Sequence, residues 1–422
     1  MDAGIANKKS AVNKKGITLI IAILLIAFLD ASNGATTPAL ASIGKAFPTV
    51  DNNTLILIST LPQLLIVPFS IISGKLAGNK VKYRTLALIG ILTISVAGVI
   101  PYFLDNFYAI LAARVFIGVG IGISAPLANT YILNLFEGKK MQNLMGLSRV
   151  SSSAGAMTFQ MIGGILCAVS WKNTFLVYLI GIIGLVFLFF KLPEPPKVKK
   201  QDAELEIGKI KEKGGGINAT ALIWILLYAF MTFFTYPFYL NMSSLVANGN
   251  LGTAATSGFI LTTSSFAGML GSLLFGTVFR FLKRKIIPIG FVFCTITYAI
   301  MIFCNSAVAF TIASFCTGFG FGLIVPAINM YAGLAVSPSS RAFAMSLMFA
   351  LPNLAMFFTS YFFSFIKTAF GITYDRYIFV IGIVFYIICG IVFAFAKIEP
   401  KASNVEEEKM LIPKKETVIG GE

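Results

Sequence analysis

A chain of 422 residues in which 57% are hydrophobic and 12% charged has too few polar residues to coat its apolar bulk against water, which excludes an ordinary soluble globular protein. The formal net charge of +16 would suit a nucleic-acid partner, but the Lys and Arg residues sit in loops and tails between apolar runs and form no single basic face. Histidine is absent, which removes the commonest metal ligand and the usual near-neutral proton carrier; any proton carrier is then a carboxylate, and no metal or cofactor is expected.

A bilayer-spanning helix needs roughly 20 mostly apolar residues. Such segments fall at 17–43, 53–73, 85–104, 107–136, 141–169 and 171–191, and again at 217–246, 254–279, 286–304, 307–335, 342–366 and 377–396. The reading is an all-α membrane protein of twelve transmembrane helices in two six-helix halves. The halves take 1–192 and 217–397, joined by a Pro-rich, charged linker over 193–216 and followed by a charged tail over 398–422. Counting from the N-terminus, outer loops hold only Lys45, Lys172, Lys367 and Arg376, and Arg114 and Arg149 fall inside spans; the other Lys and Arg are all on the inner side. By the positive-inside rule both termini are cytoplasmic, in a multi-pass protein of the cell membrane. The first apolar run is too long for a cleavable signal. The five cysteines lie within apolar runs as packing residues.

In the first span, Asp30 is the sole acid inside any segment. A charge at mid-membrane costs roughly 2.5 to 3.5 kcal/mol, so its presence needs a reason. At about 1.5 Å per residue it lies roughly 20 Å in from the inner side, a depth similar to that of Arg114 in the fourth span, and the two can pair. Asp30, Asn33, Gly34 and Thr37 share one helical face. Gln63 in the second span, beside a proline, is a cavity candidate.

The fourth span holds GVGIGISAPLANTY, 118–131, and the tenth GFGFGLIVPAINMY, 318–331. Gly118, Gly120, Gly122, Pro126, Asn129 and Tyr131 recur at an offset of 200 as Gly318, Gly320, Gly322, Pro326, Asn329 and Tyr331. The halves are therefore parallel, pseudo-symmetric copies. These glycines let helices approach closely and the prolines bend them; a phosphate cradle is disfavoured because no strand precedes either run. Asn129, Tyr131, Asn329 and Tyr331 line the cavity or bond to neighbouring helices. In the fifth span Arg149 shares a face with Ser152, Ala156 and Gln160, and no in-membrane acid is left to neutralise it. It either clamps an anionic substrate through its bidentate fork or pairs with inner-loop acids such as Glu137 as part of a gate. Tyr228, Thr232, Tyr236 and Tyr239 form a stripe on the seventh span, and Asn353 in the eleventh is a further cavity candidate.

The loop GKLAGNKVKYR, 74–84, resembles a signature of the major facilitator superfamily, with Gly74, Leu76, Ala77 and Lys82 in place and Gly78 where the family has an acid; Arg84 closes it, and GTVFRFLKRK, 276–285, is a weaker copy. Arg114 with Gly118 resembles the family's second motif. Gly146, Gly155, Gly163 and Gly164 keep the spacing of the motif of drug:proton antiporters, with Phe159-Gln160 in place of its central Gly-Pro. The resemblance implies gating roles for these residues, a proton relay through Asp30 and Arg114, and the twelve-helix fold.

The expected function is alternating-access secondary transport, with proton-coupled export of a small amphipathic metabolite or drug in the lead. The rival is an organic-anion importer or exchanger using Arg149, with Asp30 and Arg114 as a static bridge; a non-transporting membrane sensor is a third reading. Expected partners are a small-molecule substrate, protons and the lipid bilayer, with no nucleic acid, and the protein is expected to be a monomer. An enzyme is disfavoured because no nucleophile, base and oxyanion donor group together.

Overall fold

The computed structural model describes residues 2–78, 80–136, 138–194, 219–336, 341–372 and 376–395. Among them, 12 helices are long and apolar enough to cross a membrane: α1 Gly16–Ala46, α2 Asn52–Gly74, α3 Tyr83–Phe103, α4 Phe107–Ile132, α5 Asn143–Val169, α6 Trp171–Lys191, α7 Ala219–Asn248, α8 Ala254–Leu282, α9 Ile286–Phe303, α10 Ala307–Gly333, α11 Leu347–Ala369 and α12 Tyr377–Phe395. Apart from residues 193 and 194, the expected linker and tail lie outside the described residues. An even number of crossings leaves both ends of the helical bundle on one side, called here the terminal side.

Each half has its own apolar core, as a membrane protein needs when lipid supplies no hydrophobic drive between helices. The first is built around Ile23, Ile91, Ile121, Phe159 and Tyr178, and the second around Trp224, Phe238, Phe291, Phe310 and Tyr386. A third cluster, at the end away from the termini, takes Leu40, Ile43, Leu55 and Phe107 from one half and Leu240 and Ala254 from the other. Phe190, Phe281, Phe303 and Phe395 are each more than two-thirds exposed, which water would penalise and lipid does not.

The repeat read at an offset of 200 is a repeated helix crossing. A Cβ added at Gly118 would lie 2.5 Å from Pro62 O on α2, and one at Gly318 would lie 1.9 Å from Ser264 O on α8. Added Cβ atoms at Gly120 and Gly320 would lie 2.8 Å from Gly90 O and Gly290 O, on α3 and α9. Glycine at these four positions is what lets α4 and α10 touch two neighbours each, backbone on backbone. Pro126 and Pro326 both sit inside continuous helix.

Helix α1 is not uniform. It is α-helical up to Asp30, tightens into a 3-10 helix over Ala31–Ala39, and resumes α-helix at Leu40–Ala46. Pro38 lacks an N–H, and Ser32, Asn33, Thr36 and Thr37 are weak helix formers whose side chains compete for backbone partners. Within this stretch the carbonyls of Ser32, Asn33 and Pro38 each accept a side-chain hydrogen bond from another helix. Below it, in the 74–84 loop, Gly78 has φ +73° and its N–H donates to Val81 O, a tight turn that a residue with a Cβ would strain. Glu194, just past α6, accepts the backbone N–H groups of Tyr83 and Arg84, both at 2.9 Å, and so caps α3.

The hydrogen bonds that join the halves among the described residues lie at the far end or at mid-depth. Ala41 N–H donates to Ser243 Oγ, which donates to Pro38 O; Asn53 Nδ2 donates to Ser364 Oγ at 2.7 Å. Deeper in, Thr262 Oγ1 donates to Met157 O and Ser265 Oγ to Gln160 Oε1. Gly164 packs against Ala254 and Gly258 across the same interface. Among the described residues, the hydrogen bonds between the halves thus fall at mid-depth and toward the far side of the bundle.

Candidate functional site

A cavity of about 580 Å³ lies between the halves. The first half contributes Asp30, Asn33, Gly34, Thr37, Gln63, Asn129, Arg149, Ser152 and Gln160, and the second Tyr228, Thr232, Tyr236, Tyr239, Phe321, Phe349 and Asn353. Both polar stripes expected on the first and seventh spans face it. The two walls differ in chemistry. Both charged groups and most amides come from the first half, while the second offers aromatic faces and hydroxyls.

Arg149 is exposed to the cavity, and no hydrogen bond or ion pair engages it among the described residues. Tyr228 lines the opposite wall of the same cavity. Glu137, its alternative partner, lies outside the described residues.

The expected contact between Asp30 and Arg114 is not made. Arg114 is fully buried and spends its donors on neutral acceptors: Nε on Ile58 O at 2.7 Å, Nη1 on Tyr178 Oη at 2.7 Å, and Nη2 on Asn33 O at 3.2 Å and Asn33 Oδ1 at 2.8 Å. Tyr178 Oη in turn donates to Ser32 O, and Asn33 Nδ2 to Ser59 O at 3.2 Å. The reason is the 3-10 stretch of α1, which turns carbonyls and the Asn33 amide toward α4 and offers a fixed cage closer than Asp30. Arg114 is therefore a hub tying α1, α2 and α6 to α4. Asp30 Oδ1 instead accepts a hydrogen bond from Ser124 Oγ on α4, and Oδ2 is enclosed without a donor among the described residues. Neither Ser124 nor Tyr178 stood out in the sequence. The first is a small residue in a glycine-rich run and the second one aromatic among many.

Gln63 and Tyr236 line the cavity from opposite halves, and the Tyr236 hydroxyl donates to Ser59 O at 3.5 Å. Gln160 is held by Ser265 and lies against Gly34, where an added Cβ would meet its Nε2 at 3.2 Å. Asn353 Nδ2 donates to Phe349 O. Three expected lining residues stand elsewhere. Tyr131 is fully buried in the first core with its ring against Tyr83; Tyr331 stacks on Trp224 in the second; Asn329 is absent from the cavity wall. The repeat explains the tyrosines: both ends of the duplicated motif turn into their own half.

Among the residues read as gating positions, Leu76 O closes the turn by accepting from Lys80 and Val81 N–H groups, Lys82 is exposed just before α3, and Arg84 Nη2 donates to Phe189 O with the guanidinium over that ring. Gly155 and Gly163 pack on α1, where added Cβ atoms would lie 2.1 Å from Phe28 O and 2.4 Å from Ala35 O. Gly74 and Gly146 have open space around them. Among the described residues, no group of three metal-ligating side chains occurs.

Among known proteins, the chain is 25% identical over 288 residues to a putative glycerol-3-phosphate transporter 2 of Arabidopsis thaliana, a match that covers 58% of this chain and about half (56%) of that relative. It is 25% identical over 287 residues to a homolog of the multi-drug resistance efflux pump PmrA of Lactococcus lactis, covering 64% of this chain and 67% of the pump. The fold is that of the D-xylose-proton symporter crystal structure, with a TM-score of 0.70 at 15% identity over 91% of this chain and 98% of the other. The pattern of the Major Facilitator Superfamily matches residues 19–249 and again 238–419, which together span nearly the whole helical bundle. Twelve spans and a family match that runs over most of the chain show that it belongs to the Major Facilitator Superfamily.

Proposed function

We propose that the protein is a secondary transporter of a small, hydroxylated organic anion, held by Arg149 and driven by a proton carried on Asp30. The observation that carries this reading is Arg149, a cation open to the cavity with no counter-ion among the described residues. An accessible guanidinium with spare donors is ready to take a carboxylate or phosphate on the substrate as a charge-assisted bidentate pair. Amides from Asn33, Gln63, Asn129, Gln160 and Asn353, with hydroxyls from Thr37, Ser152 and Thr232, suit a substrate with several hydroxyl groups. The relative named as a glycerol-3-phosphate transporter fits this class.

In this reading both termini are cytoplasmic, the cavity opens to the cytoplasm, and the halves rock about the central site as a monomer in the cell membrane. Protonation of Asp30 removes a charge from the cavity wall, and its release restores one, so the occupancy of that carboxylate biases which side opens. A second reading is proton-coupled export of an amphipathic compound. Support for it is the aromatic wall of Tyr228, Tyr236, Tyr239, Phe321 and Phe349 together with the efflux relative.

The test uses purified protein in proteoliposomes with an imposed pH gradient, challenged with labelled glycerol 3-phosphate, sugar acids and a lipophilic cationic dye. Anion movement that Arg149→Ala abolishes and Asp30→Asn uncouples from the gradient supports the first reading. Dye movement untouched by Arg149→Ala supports the second and removes the clamp.

A further inference from the structure

Asp30 has a partner in Ser124 whose chemistry goes beyond a passive contact. The Ser124 hydroxyl lies within hydrogen-bond reach of Asp30 Oδ1 and, at 3.0 Å, of Gly120 O one turn back along α4. A hydroxyl carries one proton, so it can donate to only one of these acceptors at a time. The serine itself cannot shift to choose between them. Its Cβ would be 2.8 Å from a Cβ added at Gly90, and a Cβ added at Gly120 would be 2.8 Å from Gly90 O, so α3 and α4 are locked together here. Only the hydroxyl rotates.

We infer that Asp30 and Ser124 together form the proton-binding site, in which a proton arriving on Asp30 reverses the bond between them. With Asp30 ionised, Ser124 donates to Oδ1. After protonation the acid donates to Ser124 Oγ, and the serine keeps its own proton and turns it to Gly120 O. One proton is gained from the cavity and no other group changes its proton count. Without Ser124 the carboxylate loses its donor and the acid its acceptor, because Oδ2 meets no other partner among the described residues. Other charged or titratable groups on the packed helices are accounted for. Arg114 on α4 is engaged by Asn33, Ile58 and Tyr178; Tyr178 on α6 donates to Ser32 O; Arg149 on α5 and Tyr228 and Tyr236 on α7 face the cavity.

The inference rests on the reading of Asp30 as the proton carrier, and the experiment separates the two without needing a substrate. Infrared difference spectra of the purified full chain in detergent are recorded against pH. The carboxylic acid C=O band that vanishes in Asp30→Asn belongs to Asp30. In Ser124→Ala that band moves to higher wavenumber, and its midpoint moves by about half a pH unit or more to higher pH, roughly threefold in proton affinity. Ser124→Cys, of similar size and weaker hydrogen bonding, falls between, and it carries the test alone should Ser124→Ala fail to fold. Ser95→Ala, a serine bonded within α3, leaves the band where it was. A band that Asp30→Asn removes but neither Ser124 variant moves overturns the role of Ser124 and leaves Asp30 standing. No band lost in Asp30→Asn overturns both.

Discussion

Arg149 and Arg114 are both arginines inside spans, yet their surroundings give them opposite tasks. Arg149 has spare donors and faces water, so its removal is expected to act on function: Arg149→Ala keeps the fold, with an unchanged melting temperature, and weakens anion binding by tenfold or more, about 1.4 kcal/mol or greater, read by thermal shift against added ligand. Arg114 spends four of its five N–H donors on buried partners and has no access to solvent. Arg114→Lys presents a point charge where a planar fork fills four contacts, leaving buried acceptors unmet at about 1–3 kcal/mol each, so it is expected to lower the melting temperature by several degrees in the absence of any ligand. An unchanged melting temperature would sink the hub. At the far surface, Asp51 accepts from Thr54 through side chain and backbone, and these bonds hold its carboxyl below the usual range while capping α2. A lowered folded value means the cap is intact above the ordinary carboxylate range and is lost as pH falls through the folded value. Protection of the amides in residues 52–55, corrected for the intrinsic exchange rate, should therefore fall only as pH drops below the ordinary carboxylate range, and be reduced at all pH values in Asp51→Ala.

At the level of helices, packing depends on which glycines are crowded. Gly318 and Gly118 sit against backbone on the neighbouring helix, whereas Gly146 has open space. Gly318→Ala and Gly118→Ala are each expected to cost about 1–3 kcal/mol by forcing α10 from α8 and α4 from α2. Gly146→Ala in α5 should be neutral or slightly stabilising, since a helix gains from exchanging Gly for Ala. Denaturation in mixed micelles measures all three, and equal effects would contradict the crossing geometry. The repeat that fixes these crossings was plain in the sequence, because Gly, Pro, Asn and Tyr at an offset of 200 are too specific to recur by accident. Which members of the repeat face the cavity was not. Asn129 does and Asn329 does not, since the two halves present different faces to the chamber.

For the whole molecule, the proposed rocking of the halves requires the cross-half hydrogen bonds at the far side to break in each cycle. Cysteines placed at Asn53 and Ser364, whose side chains meet across the halves, are expected to cross-link on oxidation and stop transport, with recovery on reduction. Transport at the original rate by the cross-linked protein would mean the halves do not rock apart there. The number of spans, the duplication and the presence of one acid and two arginines in the membrane follow from the sequence alone, because hydrophobic length, repeated motifs and the cost of buried charge are local properties of the chain. The partners of those charges were decided by tertiary structure. Arg114 is caged by Asn33 in the nine-residue 3-10 stretch of α1 together with Ile58 and Tyr178, Asp30 is paired with Ser124, and Arg149 faces the cavity. Helix spacing can place two residues at the same depth, but which of them touch depends on how each helix is turned and tightened against its neighbours, and that is set by contacts between segments far apart in the chain.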